Sequence, residues 1–482
     1  MELIIVFGAS GDLAYKKTYP ALYGLFKKKL LPPDTKIVGF ARSALSDREF
    51  HDRISLKVDM SQEFLDICSY IQGAYDNQDS FKFLAKYISQ WSIKNLMFYM
   101  ALPPSVFIQA SHNIRDFLYQ SRGKNRLVIE KPFGKDLISA KQLSAALSEK
   151  WLESEIYRID HYLGKEMVKN LLIMRFANVF FSAVWNSHYI SNIQITFKES
   201  IGTQGRGGYF DEFGIIRDVV QNHLLQILTI VAMERPVSKN ADDVRDEKVK
   251  VLKSIEPISL NHTILGQYMG SIDGKEPGYL DDKTVPQGSS TPTFATVVLY
   301  CNNERWTGNL TLILIIGVPF IIKAGKALNE SKAEVRIQFK EVPGDFFPGI
   351  SRNELVVRIQ PQESVYLKFM NKKPGLSSTP VISELDLTYK NRYADHDIPE
   401  AYEVLILDAL NGDKSNFVRD DELEEAWKIF TPLLHEIEAK KIKPIPYIFG
   451  SRGPQEATDL IKNLGYMRQE DYTWAISPAP RM

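Results

Sequence analysis

Four short apolar runs, LIIVFG (3–8), KIVGFA (36–41), NLMFYMAL (95–102) and RLVIEKP (126–132), recur through the first 160 residues. Helical stretches such as KKTYPALYGLFKKK (16–29) and PSVFIQASHNIRDFLYQ (104–120) separate them. Runs that are apolar throughout, rather than alternating, belong to strands buried on both faces. Strand, helix and strand in this rhythm predict a parallel sheet, because parallel neighbours need a crossover and the crossover helices cover the faces. Past residue 160 the rhythm changes. NIQITFKES (192–200), TFATVVLY (293–300), AEVRIQFK (333–340) and ELVVRIQP (354–361) alternate apolar with polar residues. Helical patterns lie around VVQNHLLQILTIVAM (219–233) and ELEEAWKIFTPLLHEI (422–437). Alternation predicts strands whose two faces differ, and hence a largely antiparallel sheet.

The expected fold class is α/β plus α+β. Residues 1–160 form a Rossmann-like, doubly wound parallel sheet, and residues 161–482 an α+β domain with a large, mainly antiparallel sheet. A chain of 482 residues exceeds one simple core, which agrees with two domains. Lys plus Arg equal Asp plus Glu at 59 each, which argues against a nucleic-acid or polybasic membrane partner. Cys68 and Cys301 supply neither a disulfide framework nor a zinc cluster. A strand pattern beginning almost at once is read as leaving no room for a secretory leader, so a cytoplasmic location is expected. The longest apolar run, LTLILIIGVPFII (310–322), falls short of the roughly 20 residues that span a bilayer.

After the first run comes GASGDL. Gly8 and Gly11 permit a tight turn and close approach of the backbone to a diphosphate at the next helix N-terminus. The spacing is not the full G-x-G-x-x-G, and glycine turns are common in α/β proteins. A site for NAD usually ends the second strand with an acid; IVGFARS ends it with Arg42, a cation that suits a 2′-phosphate unless it is simply a surface arginine. Glu130-Lys131-Pro132 ends the fourth run, where open sheets bind ligands, so Lys131 is either a bridge between cofactor and substrate or an ordinary loop lysine.

RIDHYLGKE (158–166) groups an acid, a histidine, a tyrosine and a lysine. With Asp160 as N-cap, His161 and Tyr162 fall in a first helical turn and Lys165 shares their face, which makes a phosphate site. A plain surface helix start is the alternative. His223 opens the apolar helix LLQILTIVAM, and Asp218 lies five residues upstream. A carboxylate that fixes the imidazole tautomer would make His223 a general base. On a regular helix five residues apart means different faces, so the pairing needs special local geometry.

GASGDL, EKPFG, RIDHYLGKE, GRGGYFDEFGIIRDV-x-QNHL, DDVRDEKVKVL, NELV-x-R-x-QP, SELDLTY-x-NRY and IPY-x-x-GSRGP together resemble the glucose-6-phosphate 1-dehydrogenase family from about residue 4 to residue 475. The resemblance implies oxidation of glucose 6-phosphate at C1 with hydride transfer to NADP, without a metal, in a homodimer or homotetramer. It implies that His223 is the base and Asp218 its partner. His161, Tyr162 and Lys165 would hold the phosphate, Lys131 would position sugar and cofactor, and Glu199, Lys326 and Gln360 would bond substrate oxygens. Gly8, Ser10, Gly11, Asp12, Leu13 and Arg42, with Lys131, would hold the catalytic NADP. Eukaryotic members resemble one another in a second, structural NADP site, matched here by Lys323, Lys332, Arg336, Arg358, Tyr366, Lys368, Asp386, Arg452 and Trp474. Thr458 stands where an aspartate is usual, Arg468 where a tyrosine is usual, and Ser331 where a basic residue is usual. The other readings are a non-catalytic NADP-binding relative and a dehydrogenase of another sugar phosphate.

One segment departs from the family pattern. Relatives run E-R-W-x-G-V-P-F, whereas NERWTG (303–308) is followed by NLTLILIIG (309–317) before VPFIIKAGKAL. Nine uncharged, almost wholly apolar residues here must either shift strand pairing or loop out. The expectation is that these nine codons are an intron absent from the mature message, which would join Gly308 to Val318. A lineage-specific loop is the alternative.

Overall fold

The computed structural model describes residues 1–308, 317–344, 346–347, 349–376 and 378–468. Strands of the first half are β1 (Glu2–Phe7), β2 (Lys36–Ala41), β3 (Cys68–Gln72), β4 (Asn95–Met100), β5 (Lys124–Glu130) and β6 (Ile156–Ile159). The remainder are β7 (Ile190–Lys198), β8 (Thr263–Met269), β9 (Phe294–Leu299), β10 (Phe320–Gly325), β11 (Lys332–Phe339), β12 (Glu354–Gln360), β13 (Ser364–Lys372), β14 (Pro380–Thr388), β15 (Phe417–Val418) and β16 (Ile445–Ile448).

The first sheet has the order β15-β6-β5-β4-β1-β2-β3. Every pairing among β1 to β6 is parallel, and only the two-residue β15 runs antiparallel, beside β6. The strand order reverses at β1 and β4, and the crevice outside their carboxyl ends is where doubly wound sheets bind nucleotides. Leu3 to Phe7 are wholly buried, as a central strand covered on both faces requires. β3 escapes a pattern-based reading because CSYIQ is short, mixed and at the sheet edge.

The second sheet has nine strands in the order β14-β13-β12-β11-β7-β10-β9-β8-β16. Its pairings are antiparallel except β7 with β10 and β8 with β16. The α/β and α+β classes follow from these two sheets.

The chain divides into two compact units, each discontinuous in sequence. The first comprises 1–165, 236–246 and 399–424, and the second 166–235, 247–398 and 425–482. The returning segment 399–424 carries the helix Ala401–Asn411, whose Leu405, Ile406 and Ala409 are buried in the core of the first unit. Among the described residues, no helix is long and apolar enough to cross a membrane.

Residues 309–316 lie outside the described residues, but both flanks are defined. The Val318 N–H donates to the Trp306 carbonyl at 2.9 Å. Trp306 is buried, with its indole N–H on the Ala232 carbonyl at 2.8 Å and its ring edge-on to Phe320 at 5.1 Å. β10 then pairs in unbroken register with β7 on one side and β9 on the other. Strand pairing is therefore regular immediately after the segment.

Candidate active site

Gly8, the first residue past β1, has φ +81°, and a Cβ there would lie 2.2 Å from the Ala101 carbonyl oxygen, so only glycine fits. The Gly11 N–H returns to the Gly8 carbonyl at 2.8 Å, closing the turn. The Ser10 and Ser43 hydroxyls stand 2.9 Å apart, and Arg53 donates to the Ser10 carbonyl at 2.5 Å. Asp12 is exposed and paired with Lys16 at 2.6 Å, one turn along the helical stretch that includes Leu13. Arg42, the first residue past β2, is exposed, with its guanidinium carbon 5.8 Å from the centre of the buried Tyr75 ring. A guanidinium and two hydroxyls, with no carboxylate ending β2, form a donor set that suits a 2′-phosphate.

Lys131 follows the last residue of β5. Glu130 before it is buried and accepts from the Tyr99 hydroxyl at 2.5 Å. Burial pushes its carboxyl up to about 7, against the opposing pull of the Tyr99 hydrogen bond and the Lys131 charge.

The expected helical turn at 161 is not what forms. Asp160 is buried and its carboxylate accepts from the Tyr162 N–H at 3.0 Å. Leu163, Gly164 and Lys165 donate to the carbonyls three residues back, and the α-helix Glu166–Phe176 starts only afterwards. An aspartate can satisfy the backbone two residues on, which favours a turn over a helix. The consequence is kept, since three-residue spacing puts Tyr162 and Lys165 on one side. The Lys165 ammonium sits 5.1 Å from the Tyr162 ring centre, and the His161 and Tyr162 rings meet edge-on at 5.1 Å.

In the second unit, Asp218 and His223 share one helical stretch. Both residues lie in a π-helical stretch, Ile216–Leu224, which gives way to the α-helix Leu225–Ala232. Backbone bonds that run i to i+5 bring residues five apart round to nearly the same side. Gly214, at φ +66°, breaks the preceding helix, and the Ile215 N–H is pinned to the Pro292 carbonyl at 3.1 Å. His223 is buried and Asp218 half-buried.

Glu199 and Lys326 come together beyond the ends of the parallel pair β7 and β10, at 2.5 Å. Lys326 is fixed by its N–H on the Thr293 carbonyl and by the Tyr447 hydroxyl on its own carbonyl. Gln360 ends β12 opposite Ala333 of β11, which in turn lies beside Phe197 of β7.

The residues expected around a second nucleotide fall into two sets. Arg336 pairs with Glu354 at 2.6 Å and Glu334 at 3.2 Å, Lys332 with Glu334 at 3.2 Å, and Lys368 with Glu354 at 3.3 Å. Arg358 stands 3.8 Å from Glu334. Burial raises the Glu334 carboxyl, but Arg336 and Lys332 outweigh it and hold it at about 2. Tyr366 is pushed up to about 12 by burial, and Asp386 faces it across β13 and β14. The second set is crowded with cations. Burial, then the charges of Lys198, Arg452 and Lys332, pushes Lys323 down to about 7, while its ammonium donates to the Arg452 carbonyl at 2.9 Å. Arg468 adds to the same field. Trp474 lies outside the described residues.

Residues 5–170 match the family model described as glucose-6-phosphate dehydrogenase, NAD binding domain, and residues 172–474 match its C-terminal domain. The chain belongs to the glucose-6-phosphate dehydrogenase family. It is 54% identical to glucose-6-phosphate 1-dehydrogenase of Emericella nidulans, covering 98% of this chain and 94% of that one. It is 54% identical to that of Takifugu rubripes, covering 98% and 90%. A solved glucose-6-phosphate dehydrogenase in complex with its substrate glucose-6-phosphate superposes with a TM-score of 0.91 at 48% identity, over 97% of this chain and 98% of that one. Within this family member, Lys198 is the cation that sequence reasoning missed. FKES reads as an ordinary strand end, and only the pairing of Lys198 with Lys332 across β7 and β11 reveals the crowding.

Proposed function

We infer that this chain oxidises glucose 6-phosphate at C1 to 6-phosphoglucono-1,5-lactone with hydride transfer to NADP, the first step of the oxidative pentose phosphate pathway. Family membership over nearly the whole chain supports this reading, and one observation supports its chemistry: Asp218 and His223 lie five apart in a π-helical stretch, whose backbone bonds have that same spacing. In this reading Asp218 orients the imidazole, and His223 takes the C1 hydroxyl proton as hydride leaves C1. NADP, when bound, supplies the hydride acceptor. His161, Tyr162 and Lys165 hold the substrate phosphate by charge-assisted hydrogen bonds, while Glu199 and Lys326 bond sugar or phosphate oxygens and Gln360 bonds the substrate. The glycine turn with Ser10, Gly11, Asp12 and Leu13 seats the cofactor diphosphate, Arg42 reads its 2′-phosphate, and Lys131 serves both molecules.

The crowded cations at Lys198, Lys323 and Arg452 support a second, structural NADP, since an added phosphate relieves their mutual repulsion. The sequence block 161–482 is assigned to substrate binding and to assembly as a homodimer or homotetramer, in the cytoplasm. The test is the rate of NADP reduction with glucose 6-phosphate, measured beside NAD and beside free glucose. Reduction that needs both NADP and the phosphorylated sugar supports the reading; no reduction with that pair overturns it.

A further inference from the structure

The phosphate motif is built against a helix that lies far along the chain. Gly164, inside RIDHYLGKE, has no room for a side chain, because a Cβ there would come within 2.5 Å of the Ala401 carbonyl oxygen. Ala401 opens the helix Ala401–Asn411, and the next residue, Tyr402, is buried. The Tyr402 ring lies parallel to the His161 imidazole, at 9° and 6.0 Å between centroids, while Tyr162 meets the same imidazole edge-on. The Tyr402 hydroxyl faces the buried Glu130 carboxyl, which also accepts from Tyr99 and precedes Lys131. Two ion pairs fix the start of this helix. Lys17 meets Glu400 at 2.5 Å, and Lys28 meets Glu403 at 2.6 Å, where Gly24 lets the helices approach closely.

We propose that Tyr402 is a positioning residue for His161: its ring holds the imidazole in the orientation that meets the substrate phosphate, and its hydroxyl is anchored on Glu130. An imidazole is a useful phosphate ligand only if one N–H points at the oxygen, and a ring packed between two others loses the freedom to turn away. Tyr402 touches no substrate in this account and acts through His161 alone. The chain carries no local sign of this, since DIPEAYEVL reads as a plain helix start. The proposal rests on the assignment of His161 to the phosphate.

The test compares Michaelis constants for glucose 6-phosphate and for free glucose in the full-length enzyme. Tyr402→Leu removes the ring and is expected to raise KM for glucose 6-phosphate about 3- to 10-fold, the worth of an aromatic pair. KM for glucose and kcat should stay within about twofold, a split that a general loss of folding would not give. Tyr402→Phe keeps the ring and should restore most of the affinity. Tyr402→Met fills the space without a ring and serves if the leucine variant does not fold. An unchanged KM for glucose 6-phosphate, or an equal rise for both sugars, overturns the positioning role. Lys165→Ala runs beside these variants. If it separates the two sugars and Tyr402→Leu does not, the positioning role fails and the phosphate assignment stands. If neither separates them, both fail.

Discussion

At the scale of single residues, two side chains carry their chemistry in their surroundings. Arg42 stands exposed past the end of β2 with no acid beside it in sequence. Arg42→Ala is therefore expected to weaken NADP binding by about 1.5–3 kcal/mol, the range of a hydrogen bond to a charged group, and to leave NAD binding nearly unchanged. Titration of both cofactors checks this; equal losses would remove Arg42 from the 2′-phosphate. Glu130 is the second case. Its carboxyl titrates near 4.5 in the unfolded chain and at about 7 when buried. Below 4.5 both states hold the proton. Between 4.5 and about 7 the unfolded chain has released it while the folded chain has not, so stability falls as pH rises through that window. The total is about 3 kcal/mol at ~1.4 kcal/mol per pKa unit. Glu130→Gln has no such loss, so its stability relative to wild type should rise by about that amount from pH ~4.5 to pH ~8. Equilibrium unfolding at both pH values measures the gap, and a gap independent of pH contradicts it. The raised carboxyl could not be read from EKPFG, because it comes from burial beneath other elements, which outweighs the hydrogen bonds from Tyr99 and Tyr402 and the charge of Lys131.

At the scale of elements, the sequence was most legible where one face decides the pattern. Continuous apolar runs marked β1, β2, β4 and β5, and alternation marked β7, β9, β11 and β12. Backbone irregularities were not legible. The π-helical stretch at Ile216–Leu224 has no residue signature beyond Gly214, and the turns at 161–165 follow from one aspartate accepting a backbone N–H. The segment 309–317 gives an element-scale prediction. With those nine residues removed, Val318 becomes the third residue after Trp306, and their 2.9 Å hydrogen bond becomes that of a β-turn. Thr307 and Gly308 would then be its central residues, with glycine at the position where a type II turn needs positive φ. The deletion protein should keep the β10 register, with Tm and kcat at least equal to those of the longer chain. Loss of folding or activity on deletion would show that the segment belongs to the enzyme.

At the scale of the whole molecule, the two fold classes were legible because each sheet has its own rhythm. The discontinuity of the units was not: neither 236–246 nor 399–424 differs in composition from its surroundings, and both join the first unit through packing. The same holds for the cation group around Lys323, which only strand pairing assembles. A chain with catalytic and structural nucleotide sites should bind close to two NADP per chain in a calorimetric titration, with Lys323→Ala reducing this toward one. A wild-type stoichiometry of one would remove the structural site. The central claim is that His223, oriented by Asp218 across a π-helical turn, is the base that starts oxidation of glucose 6-phosphate. The most direct measurement is turnover of His223→Asn with NADP and glucose 6-phosphate, alongside a binding titration of the sugar phosphate. Nearly intact binding and turnover lowered by about 10²–10⁴-fold are expected; turnover near wild type would rule His223 out as the base.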